Sequence, residues 1–252
     1  MTPHSRSSRI QALVARQAAL RDAQVGVVDV CTAAVATLPV DGAGLSAMFA
    51  DTASHPLCST DEISARLEEL QLTLGEGPCV DAFAHGSAIL TPDLLTSELQ
   101  DCWPVFADAA LEAGARAVFS LPLQIGAISP GVLDLYADVP VQLGPDALAD
   151  AQAFADTATL LLLDARIPRI DQSGDTGPVG SCDDLGAYRA EIDQATGVLT
   201  VQLGVGIEEA FIRLRAHAFA HGHRLADVAS DIVSHRLRFS PGMEPKRTEE
   251  GR

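Results

Sequence analysis

Toward the C-terminus, apolar positions recur at helical spacing between glycines. Tyr188, Ile192, Ala195, Leu199 and Leu203 follow one another at steps of four, three, four and four, which places them on one helix face. Gly204-Val205-Gly206 ends that helix. Ile207, Phe211, Leu214 and Ala218 form the apolar stripe of a second helix over 207–220. Its first turn holds Glu208 and Glu209, where acids are favoured by the helix dipole. Leu225, Val228, Ala229, Ile232 and Val233 predict a third helix over 225–237, with Arg236 and Arg238 at its C-terminal end. Three such helices can bury one small core. A bundle of about fifty residues is marginal alone, so docking on the preceding helix or dimerisation is expected.

The longer N-terminal part alternates between helix-like and strand-like patterns. Ile10–Leu38 is alanine-rich and predicts one long or two short helices, ended by Pro39-Val40-Asp41-Gly42. Gly44–Ala50 and Leu57–Ser59 predict strands. Ser59-x-x-Glu62 has capping-box spacing, so a helix starts near Asp61 and turns Ile63, Leu67 and Leu70 inward. Gly75-Glu76-Gly77-Pro78 stops it, and Pro78 fits the first turn of a short helix to Ala84. Ser87–Thr91 predicts a strand and Trp103–Ala113 a helix ended by Gly114. Strand-like runs at Ala115–Leu121, Leu123–Ile128 and Gly131–Tyr136 include a hairpin turning at Ser129-Pro130. A long amphipathic helix covers Asp146–Ala165. The pattern is that of an α+β domain followed by a small all-α module. Residues 10–166 form the first domain, 167–184 a Gly/Pro/Ser/Asp-rich linker, 185–240 the helical module and 241–252 a charged tail.

Charge then narrows the partners. The chain has 17 basic and 34 acidic residues, net −17. Over 185–240, six arginines (189, 213, 215, 224, 236, 238) balance six acids (191, 193, 208, 209, 227, 231), so the acidic excess lies elsewhere. Phosphate contact needs local positive charge, so nucleic-acid binding by the chain as a whole is disfavoured and the C-terminal module is the one place left for it. Five cysteines (31, 58, 79, 102, 182) form no CxxC pair and read as reduced thiols in a cytoplasmic protein. The N-terminus lacks an apolar signal region, and the longest apolar run, Leu160–Leu163, is far too short for a membrane span. No P-loop, GxSxG, HExxH or kinase signature is present, so no catalytic residue, metal or cofactor is assigned.

Several N-terminal residues have both a binding and a structural reading. Glu76 and Asp81 face a ligand across the Gly77-Pro78 turn, or else serve as turn and helix-end acids. Cys79, Cys102 and His85 fit no zinc spacing, and the two cysteines read as buried apolar filler. Trp103 and Phe106 sit three apart, as core residues or as a ligand cage. Asp134 and Tyr136 share one strand face, with Leu133 and Leu135 on the other; the polar pair lines a pocket or meets solvent.

Leu74-Gly-Glu-Gly-Pro-Cys-Val-Asp-Ala-Phe, Trp103-Pro-Val-Phe, Ala117-Val-Phe-Ser-Leu-Pro-Leu-Gln-Ile-Gly-Ala and Gly131-Val-Leu-Asp-Leu-Tyr together resemble a GAF domain over Ile10–Arg166. The resemblance implies a central antiparallel sheet with helices on one side and a small-molecule pocket on the other. It also implies a sensor or dimerisation role. Glu76, Asp81, Trp103, Asp134 and Tyr136 are its candidate pocket residues.

Ile192-x-x-Ala195-x-Gly197-x-Leu199, Glu209-Ala210-Phe211-x-x-Leu214-Arg215-x-x-Ala218 and Leu225-x-Asp227-Val228-Ala229-x-x-Ile232-Val233 resemble the ANTAR domain. That family binds paired RNA stem-loops in transcription antitermination, usually as a dimer under an attached sensor. The resemblance implies a cytoplasmic homodimeric regulator, not an enzyme and not bound to a membrane. Its candidate RNA contacts are Tyr188, Thr196, Gly197, Arg213, Arg215, His223, Arg224, Arg236 and Arg238. Two positions depart from the family pattern: Thr196 replaces a common lysine, and Gly206 replaces a serine-type cap. Thr196 and the acidic balance keep a second reading open, a dimeric protein-interaction module without RNA binding.

Overall fold

Strand alternation gives the N-terminal unit two faces to cover. The computed structural model describes residues 3–49, 52–166, 183–240 and 243–247. Five strands, β1 (Gly42–Phe49), β2 (Thr52–Ser59), β3 (Ile89–Thr91), β4 (Ala117–Ile125) and β5 (Ile128–Ala137), form one antiparallel sheet in the order β2-β1-β5-β4-β3. Ala43 and Leu45 of β1, Phe119 and Leu121 of β4, and Leu133 and Leu135 of β5 lie on one face. They pack with Ile10 and Val14 of α1 (Pro3–Leu20), Val30 of α2 (Val27–Val35) and Phe154 of α7 (Pro145–Arg166).

The opposite face is also covered. α3 (Glu62–Leu74), α4 (Pro78–His85) and α6 (Phe106–Ala113), the last preceded by the short α5 (Ser97–Cys102), bring Leu67, Leu70, Cys79, Ala82 and Phe106 over Val118, Val132 and Tyr136. The expectation of helices on one side is therefore corrected to a sheet flanked by helices on both faces, with a small cavity on the α3 side. The cause is the apolar stripes of α3 and α6, which also have to be buried.

Local chemistry sets the boundaries. Asp29 is buried, accepts from the Gly26 N–H at 2.9 Å and meets Arg21 at 2.7 Å, fixing the start of α2. The capping box of α3 is Asp61/Ser64, not Ser59/Glu62: Asp61 accepts from the Ser64 N–H at 2.8 Å, and Ser64 Oγ accepts from the Asp61 N–H at 3.1 Å. The β4–β5 turn falls at Gly126-Ala127, three residues before Ser129-Pro130, with Ile125 opposite Ile128. Gly126 takes φ +59, which glycine adopts without strain, and Ser129 and Pro130 become part of β5.

The second compact unit, Asp183–Arg252, contains α8 (Asp183–Leu203), α9 (Ile207–Ala220) and α10 (Leu225–Val233), then β6 (Leu237–Ser240) paired antiparallel with β7 (Met243–Arg247). Ile192, Ala195, Leu199, Ala210, Leu214, Ala218, Leu225, Val228, Ala229, Ile232 and Leu237 are its buried apolar residues.

Four expectations change here. The buried stripe of α9 is Ala210-Leu214-Ala218, whereas Phe211 is half-buried and Ile207 exposed; small alanines allow close helix approach. The third helix stops at Val233, because Ser234 caps it and His235 takes φ +62. Arg236 and Arg238 are consequently not helix-end cations, and Arg238 lies on β6. The tail residues Met243–Arg247 are a strand. The linker 167–182 lies outside the described residues. Among the described residues, no single helix is long and apolar enough to cross a membrane.

Candidate functional sites

The polar centre of the α3-covered face is set by small residues on β1. Gly42, Gly44 and Ser46 alternate with Ala43, Leu45 and Ala47, so the side toward α3 is nearly bare. Into that space α3 places Glu68 and Gln71, each 3% exposed. Register puts Asp134 of β5 between Gly44 of β1 and Ser120 of β4. A Cβ on Gly44 would stand 2.8 Å from Glu68 Cδ, so glycine here makes room for the carboxyl group.

The serines hold one oxygen of each acid. Ser46 Oγ donates to Glu68 Oε2, and Ser120 Oγ donates to Asp134 Oδ1. The other oxygens, Glu68 Oε1 and Asp134 Oδ2, are buried without a hydrogen-bond partner, as is Gln71 Nε2. Gln71 Oε1 accepts from the Cys79 N–H at 2.7 Å. Gly44, Ser64, Leu67, Val118, Leu135 and Tyr136 join Glu68, Gln71 and Asp134 around a small cavity with room for about one water-sized group.

Electrostatics follow from enclosure. Burial, then the neighbouring Asp134 charge, push the Glu68 carboxyl well above the usual carboxylate range. Burial also raises Asp134, and burial first, then the two acids, raise the Cys79 thiol. Burial, then Asp61, move the Tyr136 phenol up.

The five expected pocket residues divide into two groups. Asp134 and Tyr136 line the cavity and do not meet solvent. Glu76 Oε1 instead accepts from the Val105 and Phe106 N–H groups at 2.8 and 2.7 Å, capping α6. Asp81 Oδ2 accepts from Trp103 Nε1 at 2.9 Å, and Trp103 packs edge-on against Phe106 at 6.4 Å between centroids. Glu68, Gln71, Ser46 and Ser120 were not singled out from sequence. Glu76→Ala is expected to destabilise the domain by about 1–2 kcal/mol, the size of a lost cap. Urea unfolding followed by the emission of Trp103, the single tryptophan, measures it.

The helical module places its candidates unevenly. Tyr188 is on α8, and its side chain lies outside the described part. Thr196 is 4% exposed and donates to the Ile192 carbonyl at 2.8 Å, so it turns inward. Gly197 is exposed, and a Cβ there would meet nothing within 4 Å. Arg213 pairs with Glu209 at 3.0 Å and Arg236 with Asp231 at 2.8 Å. Arg215 is half-buried, 5.6 Å from the Phe211 ring centroid, and its burial lowers its pKa from the usual arginine value.

One corner gathers rings that spacing alone did not connect. His217 and His221 have centroids 4.1 Å apart, His221 and His223 6.1 Å, and His217 meets Phe239 edge-on at 5.1 Å. Arg224 is the exposed residue that starts α10 beside His223, and the exposed Arg238 precedes Phe239 on β6. The Phe239 N–H donates to Gln202 Oε1 at 2.9 Å, tying β6 to α8.

Residues 187–233 match the family model of the ANTAR domain, covering most of α8 and all of α9 and α10. No curated protein matches the chain in sequence. Solved structures similar to it include the GAF domain of an Acinetobacter phosphoenolpyruvate-protein phosphotransferase, at 13% identity and TM-score 0.47, covering 64% of this chain and 97% of that one. Another is the GAF domain of a phosphoenolpyruvate-protein phosphotransferase from Coxiella burnetii, at 14% identity and TM-score 0.46, covering 64% and 96%.

Proposed function

We propose that this chain is a cytoplasmic, non-enzymatic regulator of transcription antitermination, in which the ANTAR module binds an RNA stem-loop under the control of the α+β domain ahead of it. The observation that carries the reading is the ANTAR match over 187–233. The α+β domain is taken as a GAF sensor on the motif resemblance given above. Its small-molecule ligand remains part of the proposal.

The corner at Arg224 and Arg238 supports RNA contact in chemical terms. Arginines seek phosphate, while imidazole and phenyl faces stack on bases splayed out of a loop. We assign phosphate contact to Arg224 and Arg238 and base contact to His223 and Phe239. Arg213, Arg215 and Arg236, which engage Glu209, Phe211 and Asp231 respectively, are further candidate contacts. Gly197 is exposed and stays on the proposed surface, Tyr188 stays a candidate by resemblance alone, and Thr196 is left off because it is buried. The chain's net charge of −17 repels RNA at long range, so affinity must come from this local set.

Arg224→Ala with Arg238→Ala is expected to weaken hairpin binding about tenfold and flatten the slope of log affinity against log salt by about 1.5, since each phosphate contact contributes roughly 0.7–0.9. Filter binding across a salt series reads both. A slope equal to wild type removes these two residues from the interface.

A second reading has its own support. Val201 is 84% exposed, Ile212 59% and Phe219 55%, a concentration of apolar side chains that fits protein contact. In the leading proposal they belong to the homodimer. In the alternative they bind a protein and the module binds no RNA.

A further inference from the structure

We infer that Glu68, Asp134 and Cys79 form a divalent transition-metal site, best suited to zinc, beneath α3. It is independent of the RNA reading. One carboxylate oxygen from each acid and the Cys79 sulfur lie within 4.8 Å of one another, and all three residues are buried. Tetrahedral zinc with bonds of about 2.0–2.3 Å places its ligands about 3.5 Å apart, so the three atoms need only small side-chain shifts to close on an ion.

The surroundings are those of a ligand set. Ser46 and Ser120 each fix one oxygen of an acid, and beyond them the acids interact with each other and with Cys79. Carboxylates that ligate a metal are themselves commonly held by such outer hydrogen bonds. The groups acting on Glu68 are Asp134, Ser46 and Cys58, none of them a cation. A bound dication would take the place of the protons that burial otherwise keeps on these groups.

Gln71 is the separate observation. It is 3% exposed, it lines the same cavity, and the Cys79 N–H holds its Oε1, which turns Nε2 inward with no acceptor. A water or hydroxide on the fourth metal position supplies that acceptor. The cavity has room for about one such group. That space is too small for a nucleotide-sized molecule. Two oxygens and one thiolate suit zinc, and cobalt(II) as its spectroscopic substitute, better than magnesium or calcium.

The test uses the full chain, stripped with chelator and titrated with zinc(II) or cobalt(II) alone. The expected result is one equivalent bound per chain, release of protons as the ligands ionise, and a thiolate-to-cobalt charge-transfer band in the near ultraviolet. Cys79→Ser should abolish the band. Glu68→Gln, a neutral isostere, should lower affinity at least about 100-fold, with Trp103 emission showing that both variants fold. Absence of saturable binding by folded wild type overturns the proposal. So does binding that persists without the band, or equally in both variants, because the metal would then sit elsewhere, for example on His217, His221 and His223. If Cys79→Ser does not fold, Glu68→Gln and the wild-type band decide between these outcomes.

Discussion

Gly131→Ala is expected to unfold the α+β domain or leave it severely weakened. A Cβ at this position of β5 would collide with the Ser46 carbonyl oxygen and stand 3.1 Å from Ala47 Cα. Both neighbours are backbone of β1, so no rotamer change relieves the clash. The strands must part, and the ladder from Gly42↔Tyr136 to Ala47↔Gly131 parts with them. Overpacking a core typically costs about 1–3 kcal/mol; against backbone in a central ladder we expect about 3 kcal/mol or more. That is a large share of the total stability of a domain of this size. Chemical denaturation followed by Trp103 emission measures it. Gly144→Ala is the control, since its Cβ meets nothing within 4 Å, and should stay within about 0.5 kcal/mol of wild type. Equal midpoints for the two variants would mean that β1 and β5 do not approach as described.

Leu214→Ala should do the same to the helical module. Leu214 is fully buried on α9, between Ala210 and Ala218. Removing a core leucine to alanine costs about 2–5 kcal/mol. A unit of this size has only about 3–8 kcal/mol to lose, at roughly 0.05–0.15 kcal/mol per residue. The expected outcome is loss of the module's helical signal in far-ultraviolet circular dichroism at physiological temperature, with Trp103 emission unchanged. RNA binding should disappear with the helices. Ile207→Ala, at a position 59% exposed, should leave the helical signal nearly intact. The contrast checks the stripe Ala210-Leu214-Ala218 against the stripe through Ile207.

Periodicity made much of this fold legible. α9 spans Ile207–Ala220 as the pattern predicts, and Ile192, Ala195 and Leu199 of α8 and Leu225, Val228, Ala229 and Ile232 of α10 are buried as expected, while Leu203 and Val233 are half-buried. Strand alternation separated Asp134 and Tyr136 from Leu133 and Leu135. What failed was local competition. The third helix ended early at the Ser234 cap and the positive φ of His235, and Leu237 is buried from the strand that follows. The hairpin turned at Gly126 because glycine takes its positive φ more readily than the Ser129-Pro130 pair.

The sites were harder to read, for a different reason. Glu68 and Gln71 look like the solvent side of an amphipathic helix. They are buried because Gly42, Gly44 and Ser46 leave space opposite, a relation between α3 and β1 that only pairing exposes. A run of small residues alternating with apolar ones on β1 was the available signal. Glu76 and Asp81 read as ligand groups or as turn and helix-end acids, and the partners they take, the Val105 and Phe106 N–H groups and Trp103 Nε1, lie more than 20 residues away. Arg236 and Arg238 were assigned by helix position, and the chain turns before reaching them.

The central claim is that the ANTAR module binds RNA through local positive and aromatic groups. The most direct measurement is binding of the full chain to a paired-hairpin RNA across a salt series, beside Leu214→Ala. The account predicts saturable binding that weakens steeply with salt, by roughly 0.7–0.9 in log affinity per log salt for each phosphate contacted, and that vanishes in the variant. No binding by wild type even at low salt, or binding that Leu214→Ala keeps, would contradict it.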